Sequence, residues 1–228
     1  MPINTNIDRI YKEIVEACHN SGRRQEDITL IAVTKTKPIE DMKQAQNYGI
    51  IHVGENKVQE IVNKYPYFKE NFTWHMIGHL QTNKVKSIID KVELIHSVDS
   101  IRLAQQINLE ASKMDKVQNI LVQVNIAEEE SKFGVSKEVI ETFIREIALL
   151  PNICIKGLMT VAPYVEDSEE NRPIFREMFQ VFVDINSKNI DNVTMDVLSM
   201  GMTNDFVVAI EEGSTMVRIG TAIFGERY

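Results

Sequence analysis

Eight short apolar runs, each separated from the next by a helical stretch, constrain this chain more than any other feature. The runs cover residues 29–33, 50–53, 73–77, 94–98, 120–126, 153–159, 195–199 and 216–219. Helix-like patterns fill the intervals, near residues 40–48, 57–65, 83–89, 101–114, 137–149, 169–186 and 204–211, and a further amphipathic helix, roughly 3–21, precedes the first run. Parallel strands need a crossover of a dozen or more residues, and a helix is the usual one. Strict alternation therefore predicts a parallel α/β sheet covered by helices. Eight units in 228 residues suit closure, because closure leaves no exposed edge. The expected fold is a single (β/α)8 TIM-type barrel over residues 1–228, with an additional N-terminal helix. An open doubly wound sheet is the competing architecture, but its glycine-rich turn after the first strand is missing, since Thr34 to Pro38 contains no glycine.

In such a barrel the C-terminal ends of the strands carry the ligand. Read in order, they present Lys35, then Gly54-Glu55-Asn56, His75 to Gly78, Ser97, Asn125, Met159, Ser199-Met-Gly-Met202 and Gly220-Thr221. Lys35 follows Ile31 and Val33 on one face of strand one. An amine at an apolar mouth loses hydration, which favours its neutral, nucleophilic form, so Lys35 is a candidate Schiff-base residue. A solvated surface lysine is the bland alternative. After strands seven and eight come Ser199-Met-Gly-Met-Thr-Asn-Asp205 and Val217-Arg-Ile-Gly-Thr-Ala-Ile-Phe-Gly225. Glycines admit close backbone approach, while hydroxyls and helix N-terminal amides donate to anions, and barrels often place a phosphate at these two loops. Turn glycines with Thr203 or Asn204 as a helix cap would explain either loop alone. Together with a strand-one lysine, the two loops suggest a phosphorylated carbonyl ligand. Arg218 shares a face with Met216 and Gly220, which aims it into the barrel mouth, where a buried guanidinium needs an acceptor. An outer-face salt bridge is the other reading of Arg218.

The net charge of −8, with no long basic stretch, argues against nonspecific nucleic-acid binding. No apolar run approaches membrane-spanning length and no signal peptide is visible, so a cytoplasmic location is expected. Cys18 and Cys154 read as reduced packing residues. The five histidines show no metal-site pattern, since His75 and His79 fall across a strand-loop junction.

Long motifs in fixed order then carry a resemblance along nearly the whole chain. They are Ala32-Val-Thr-Lys-Thr-Lys-Pro38, Val53-Gly-Glu-Asn-Lys-Val-Gln-Glu60, Trp74-His-Met-Ile-Gly-His-Leu-Gln-Thr-Asn-Lys84, Ile95-His-Ser-Val-Asp99, Val124-Asn125, Ser131-Lys-Phe-Gly-Val135, Lys156-Gly-Leu-Met159, Leu198-Ser-Met-Gly-Met-Thr-Asn-Asp205 and Gly213-Ser-Thr-Met-Val-Arg-Ile-Gly-Thr-Ala-Ile-Phe-Gly225. The chain resembles the pyridoxal 5′-phosphate homeostasis proteins, relatives of the alanine racemase N-terminal barrel. The resemblance implies that Lys35 carries pyridoxal 5′-phosphate (PLP) as an internal aldimine. It implies that Ser199, Gly201, Gly220 and Thr221 hold the phosphate, that Arg218 faces the pyridine nitrogen, and that Asn56 and Met159 line the ring. An arginine there disfavours protonation of that nitrogen and makes the ring a poor electron sink. Alanine racemases also use a second domain and a tyrosine base from a partner subunit; the sequence stops at Tyr228, without length for such a domain. The expected function is thus a monomeric carrier in vitamin B6 homeostasis, with no catalytic residue and no metal, handing PLP to apo-enzymes. A low-activity PLP-dependent racemase or lyase, and a cofactor-free aldolase-type Schiff-base barrel, are the alternatives.

Overall fold

A computed structural model of the chain describes residues 2–127 and 133–225. Eight strands close in chain order into a wholly parallel barrel: β1 (Thr29–Val33), β2 (His52–Glu55), β3 (Thr73–Met76), β4 (Leu94–Val98), β5 (Gln118–Gln123), β6 (Ile153–Met159), β7 (Val193–Met202) and β8 (Met216–Ile219). Around them lie α1 (Ile3–Asn20), α2 (Ile39–Asn47), α3 (Val58–Phe68), α4 (Ile101–Ser112), α5 (Ile140–Ile147), α6 (Arg172–Ser187), α7 (Phe206–Glu211) and α8 (Thr221–Phe224). This is the TIM-type barrel that the alternation of apolar runs predicts.

Some boundaries moved, for identifiable reasons. Strand two begins at His52 and not at residue 50, because the Ile50 amide is tied to the Ala45 carbonyl at the end of α2. It runs on to Glu55, whose charge reads as loop but is buried behind the sheet. The helix expected near 83–89 is a 3₁₀ helix, Thr82–Ser87. Val85 and Ile88 are both buried at a spacing of three, which a 3₁₀ turn serves as well as an α turn. The helices expected at 137–149 and 169–186 each open with a 3₁₀ turn before α5 and α6. The short α8 was not foreseen. Tyr228 and the Ser131-Lys132 part of one motif lie outside the described residues.

Alternation along each strand divides the buried residues into two sets. Outward-facing Ala32, Val53, Trp74, Ile95, Ile120, Leu158, Leu198 and Val217 join the helices in one large apolar shell. Inside the barrel, Ile31, Leu94, Leu121, Met159 and Met216 form a small separate cluster, with Val197 against it. One inner position on each of β2, β3 and β4 departs from this apolar filling, carrying His52, His75 and His96.

The N-terminal helix packs alongside α7 and α8 and is tied to both ends of the β8 segment. α1 buries Ile7, Ile10, Ile14 and Ala17. From its sides, Asn6 Nδ2 donates to the Ile223 carbonyl of α8 (2.9 Å). Just past its end, Arg23 Nη1 donates to the carbonyls of Ile210 (2.8 Å) and Ser214 (2.6 Å). Among the described residues, no helix is long and apolar enough to cross a membrane.

Candidate functional site

Lys35 stands half-buried one residue beyond Thr34, which extends β1. Two groups of side chains hold the backbone around it. Behind the sheet, Thr34 Oγ1 donates to Glu55 Oε1 (2.6 Å), and Lys64 Nζ donates to the same oxygen (2.9 Å) and to the Thr34 carbonyl (2.8 Å). Lys64 also meets Glu60 Oε2 (2.8 Å), which accepts the Thr36 amide (2.6 Å). Thr36 has φ 63, a left-handed conformation costly for a β-branched residue, and the Glu60 bond sustains it. On the other side, Lys37 Nζ donates to the carbonyls of Phe224 (3.2 Å) and Gly225 (3.1 Å), tying the loop to the end of α8. Burial raises the Glu55 carboxyl above its ordinary range although Lys64 and Thr34 pull it down. Its Oε2 is buried with no hydrogen-bond partner among the described residues.

Arg218 does point into the barrel, beside Ile31 in the β1–β8 register, and is only 4% exposed. Its acceptors are uncharged: Nη1 donates to Ser199 Oγ (2.6 Å) and Nη2 to the Thr160 carbonyl (2.8 Å). Burial, with no contacting carboxylate among the described residues, lowers its pKa to about 10, and the more distant Asp205 pulls the other way. The guanidinium remains a cation at neutral pH.

Ser199 is fully buried one position inside the mouth, and its hydroxyl also meets His96 Nδ1 (3.1 Å). Gly201, two residues on, has φ 90, and a Cβ there would stand 2.6 Å from that of Ala209, so α7 packs against this turn only if the residue is glycine. The turn is held by Asp205, whose Oδ1 accepts the Met202 amide (2.7 Å) and whose Oδ2 accepts Asn171 Nδ2 (2.9 Å). The alternative of Thr203 or Asn204 as helix cap does not hold: Thr203 Oγ1 accepts the amides of Gly220 (3.4 Å) and Ala222 (3.5 Å), joining the strand-seven and strand-eight loops. Thr221 is exposed at the start of α8, next to half-buried Gly220. Asn56 is half-buried directly after β2, and Met159 is buried at the end of β6 in the inner cluster. All eight residues singled out from sequence thus lie at or just inside the C-terminal mouth.

Sequence reasoning missed the supports of these residues. Glu55 reads only as part of a strand-end loop, Lys64 and Glu60 are not singled out, and the histidines are weighed only as metal ligands. The usable signal was period-two patterning: His75 sits between outward-facing Trp74 and Met76, and His96 follows outward-facing Ile95, so both point inward. Among the described residues, no cluster of histidine, cysteine and carboxylate side chains could hold a metal ion.

Comparison with known proteins agrees with this fold. The family model described as alanine racemase, N-terminal domain, matches residues 9–228. The pyridoxal phosphate homeostasis protein of Aquifex aeolicus is 43% identical over 222 residues, covering 97% of this chain and 96% of the relative. That of Escherichia coli K12 is 35% identical over 226 residues, covering 97% and 95%. Among solved structures, PipY of Synechococcus elongatus with PLP bound superposes with a TM-score of 0.81 at 28% identity, covering 93% of this chain and 100% of PipY. An alanine racemase from Clostridium difficile shares the fold alone, with a TM-score of 0.76 at 16% identity, and this chain covers 56% of it. By its barrel and by matches that span almost its full length, the chain belongs to the alanine racemase N-terminal domain family and, within it, to the pyridoxal phosphate homeostasis proteins.

Proposed function

We propose that this protein binds pyridoxal 5′-phosphate at the C-terminal mouth of its barrel and serves as a carrier of it, with Lys35 as the covalent attachment point. When bound, PLP supplies an aldehyde that a lysine amine captures and a ring able to withdraw electrons. The residues present fit that ligand. Lys35 stands on a clamped loop, the turn Gly201–Thr203 and the residues Gly220 and Thr221 form a close-approach cradle suited to a phosphate, and a lone cation lies deeper in the mouth. In this reading Gly201, Gly220 and Thr221 take the phosphate. Ser199, which the resemblance implies as a fourth phosphate residue, acts instead from below, because its fully buried hydroxyl is taken by Arg218 and His96; it holds Arg218 toward the ring nitrogen, while Asn56 and Met159 flank the ring.

The observation that carries the carrier reading is the chemistry of Arg218. A fixed guanidinium donates to the pyridine nitrogen but disfavours adding a proton to it, so the ring gains little electron-withdrawing power. A site built this way holds the ligand and activates it weakly. The relatives' names describe homeostasis, which supports the same view.

The test is spectroscopic and functional. Purified protein mixed with PLP should develop an absorbance band that borohydride fixes, and peptide mapping should recover pyridoxyl-lysine at Lys35. Loaded protein, freed of excess PLP, should then restore activity to an apo-enzyme. Labelling at Lys37 or Lys84 instead would refute the attachment point. Racemisation of an amino acid at ordinary enzyme rates, roughly 1–10³ per second, would refute the carrier role in favour of an enzyme.

A further inference from the structure

Interior layers of such barrels are normally filled with branched apolar side chains. Here three imidazoles replace them on adjacent strands and touch end to end. His52 Nδ1 lies 3.0 Å from His75 Nε2, His75 Nδ1 lies 3.0 Å from His96 Nε2, and His96 Nδ1 lies 3.1 Å from Ser199 Oγ. His75 and His96 are buried, whereas His52, the first residue of β2, is half-buried at the N-terminal end, the end from which Glu93 acts on it. The line therefore crosses the barrel from solvent at one end to Arg218 at the other.

Counting protons fixes its polarity. All three rings are held neutral by burial, which takes His75 to about 3 and His96 well below its ordinary value, with the Arg218 cation adding to the effect on His96. Each nitrogen–nitrogen contact needs one proton, so neutral rings must all share one tautomer. Arg218 can only donate, so it uses a lone pair of Ser199 Oγ, and the hydroxyl's own buried proton is left to His96 Nδ1. His96 then donates from Nε2 to His75, and His75 from Nε2 to His52. This is also the polarity a cation favours, with each lone pair turned toward Arg218.

We propose that Arg218, Ser199, His96, His75 and His52 form one oriented proton relay through the barrel, with every ring protonated on Nε2 and His52 as the outlet at the N-terminal end. A proton arriving on Ser199 Oγ from the ligand end displaces the hydroxyl proton to His96 Nδ1. The His96 Nε2 proton passes to His75 Nδ1, the His75 Nε2 proton to His52 Nδ1, and the His52 Nε2 proton to water. One proton has then crossed, the rings are all Nδ1-protonated, and no charge is left inside; the reverse passage restores the start. A ligand placed against Arg218 changes the field at the head of the line and polarises every link down to His52. This coupling rests on the PLP reading above; the shared tautomer does not.

The test is imidazole nitrogen NMR on the full chain labelled with ¹⁵N-histidine, with His52→Asn, His75→Asn and His96→Asn providing assignments. Without ligand at neutral pH, His52, His75 and His96 should all be neutral and protonated on Nε2. Any of them protonated on Nδ1, or on both nitrogens, overturns the relay. Adding PLP should shift the His52 nitrogens, although four links separate His52 from Arg218. His75→Phe should abolish that shift while the PLP absorbance band still forms. Should His75→Phe fail to fold, Ser199→Ala breaks the line at its other end by removing one hydroxyl. A His52 shift that survives the break refutes the coupling. Failure of the wild-type chain to bind PLP at all refutes the carrier reading, and the unliganded tautomers then decide the relay.

Discussion

Removing Lys64 should damage the fold and the Lys35 loop together, and the size and pH dependence of the loss follow from its partners. Lys64 is 8% exposed and donates to Glu55, Glu60 and the Thr34 carbonyl, all within 2.9 Å. Lys64→Met keeps most of the packing volume but leaves the Glu55 carboxylate, 0% exposed, with Thr34 as its remaining donor among the described residues. Breaking a buried pair in this way costs about 3–5 kcal/mol. For a domain of this size each kcal/mol moves Tm by roughly 2–4 °C, so a fall of about 6–20 °C is expected. Glu55 already titrates above its ordinary value through burial, and loss of Lys64 pushes it further up. A carboxyl whose folded pKa is raised stabilises the fold fully below the ordinary carboxylate range, and that contribution is lost as pH rises through the folded value. The Lys64→Met penalty should therefore be small near pH 4 and largest above pH 7, and Glu55→Gln in the same chain should recover much of it at high pH. Urea unfolding of the three variants across that range measures this. A loss below ~1 kcal/mol at neutral pH, or one independent of pH, would refute the clamp.

Other perturbations test separate parts of the site. Lys35→Ala should abolish borohydride-stable PLP labelling and change stability by less than about 0.5 kcal/mol, because the half-buried side chain adds little packing; urea midpoints and mass spectrometry check both halves. Gly201→Ala, at φ 90 and against Ala209, should cost more than ~1 kcal/mol and weaken PLP more than pyridoxal, which lacks the phosphate. Titration of both ligands decides that comparison. The buried neutral histidines predict that stability falls as pH drops from the ordinary histidine value of about 6.5 toward about 3, the value for His75. His75→Phe should flatten part of that acid limb in a denaturation series.

The barrel was legible because its signal is periodic. Runs with helices between them prescribe parallel strands, and four of the eight strands keep the boundaries read from sequence, at Thr29–Val33, Leu94–Val98, Ile153–Met159 and Met216–Ile219. The mouth residues were legible for the same reason, since a strand's end names its loop. What escaped was anything that depends on which side chains meet across the sheet. Glu55 looked exposed because its partner, Lys64, arrives from a helix nine residues later. The histidine line joins residues 52, 75, 96 and 199, and only barrel closure brings the last of these beside the third. Thr36 reads as an ordinary loop threonine, and its left-handed backbone becomes intelligible only with the Glu60 carboxylate in place.

Lys35 and Arg218 are held from opposite directions, and the difference matters for a carrier. The Lys35 loop is clamped from behind the sheet by charged groups whose loss would expose a buried carboxylate, so its position is stiff and expensive to change. Arg218 is held from inside by neutral acceptors, a hydroxyl and a carbonyl, which fix its orientation without cancelling its charge. A carboxylate partner would have neutralised the guanidinium and weakened its influence on a ring nitrogen. The imidazole line lets the interior stay polar and satisfied without adding that negative charge. In the proposed function, the same cation would attract an anionic ligand while denying the ring nitrogen a proton. On that proposal, holding tightly and activating poorly are two results of one arrangement, and a single substitution should separate them. Arg218→Glu should lower PLP retention, because it replaces attraction of the phosphorylated ligand with repulsion. Any amino-acid turnover by the PLP that remains bound should rise, because a carboxylate favours a protonated ring nitrogen. Parallel loss of retention and turnover would show that Arg218 does not govern the ring.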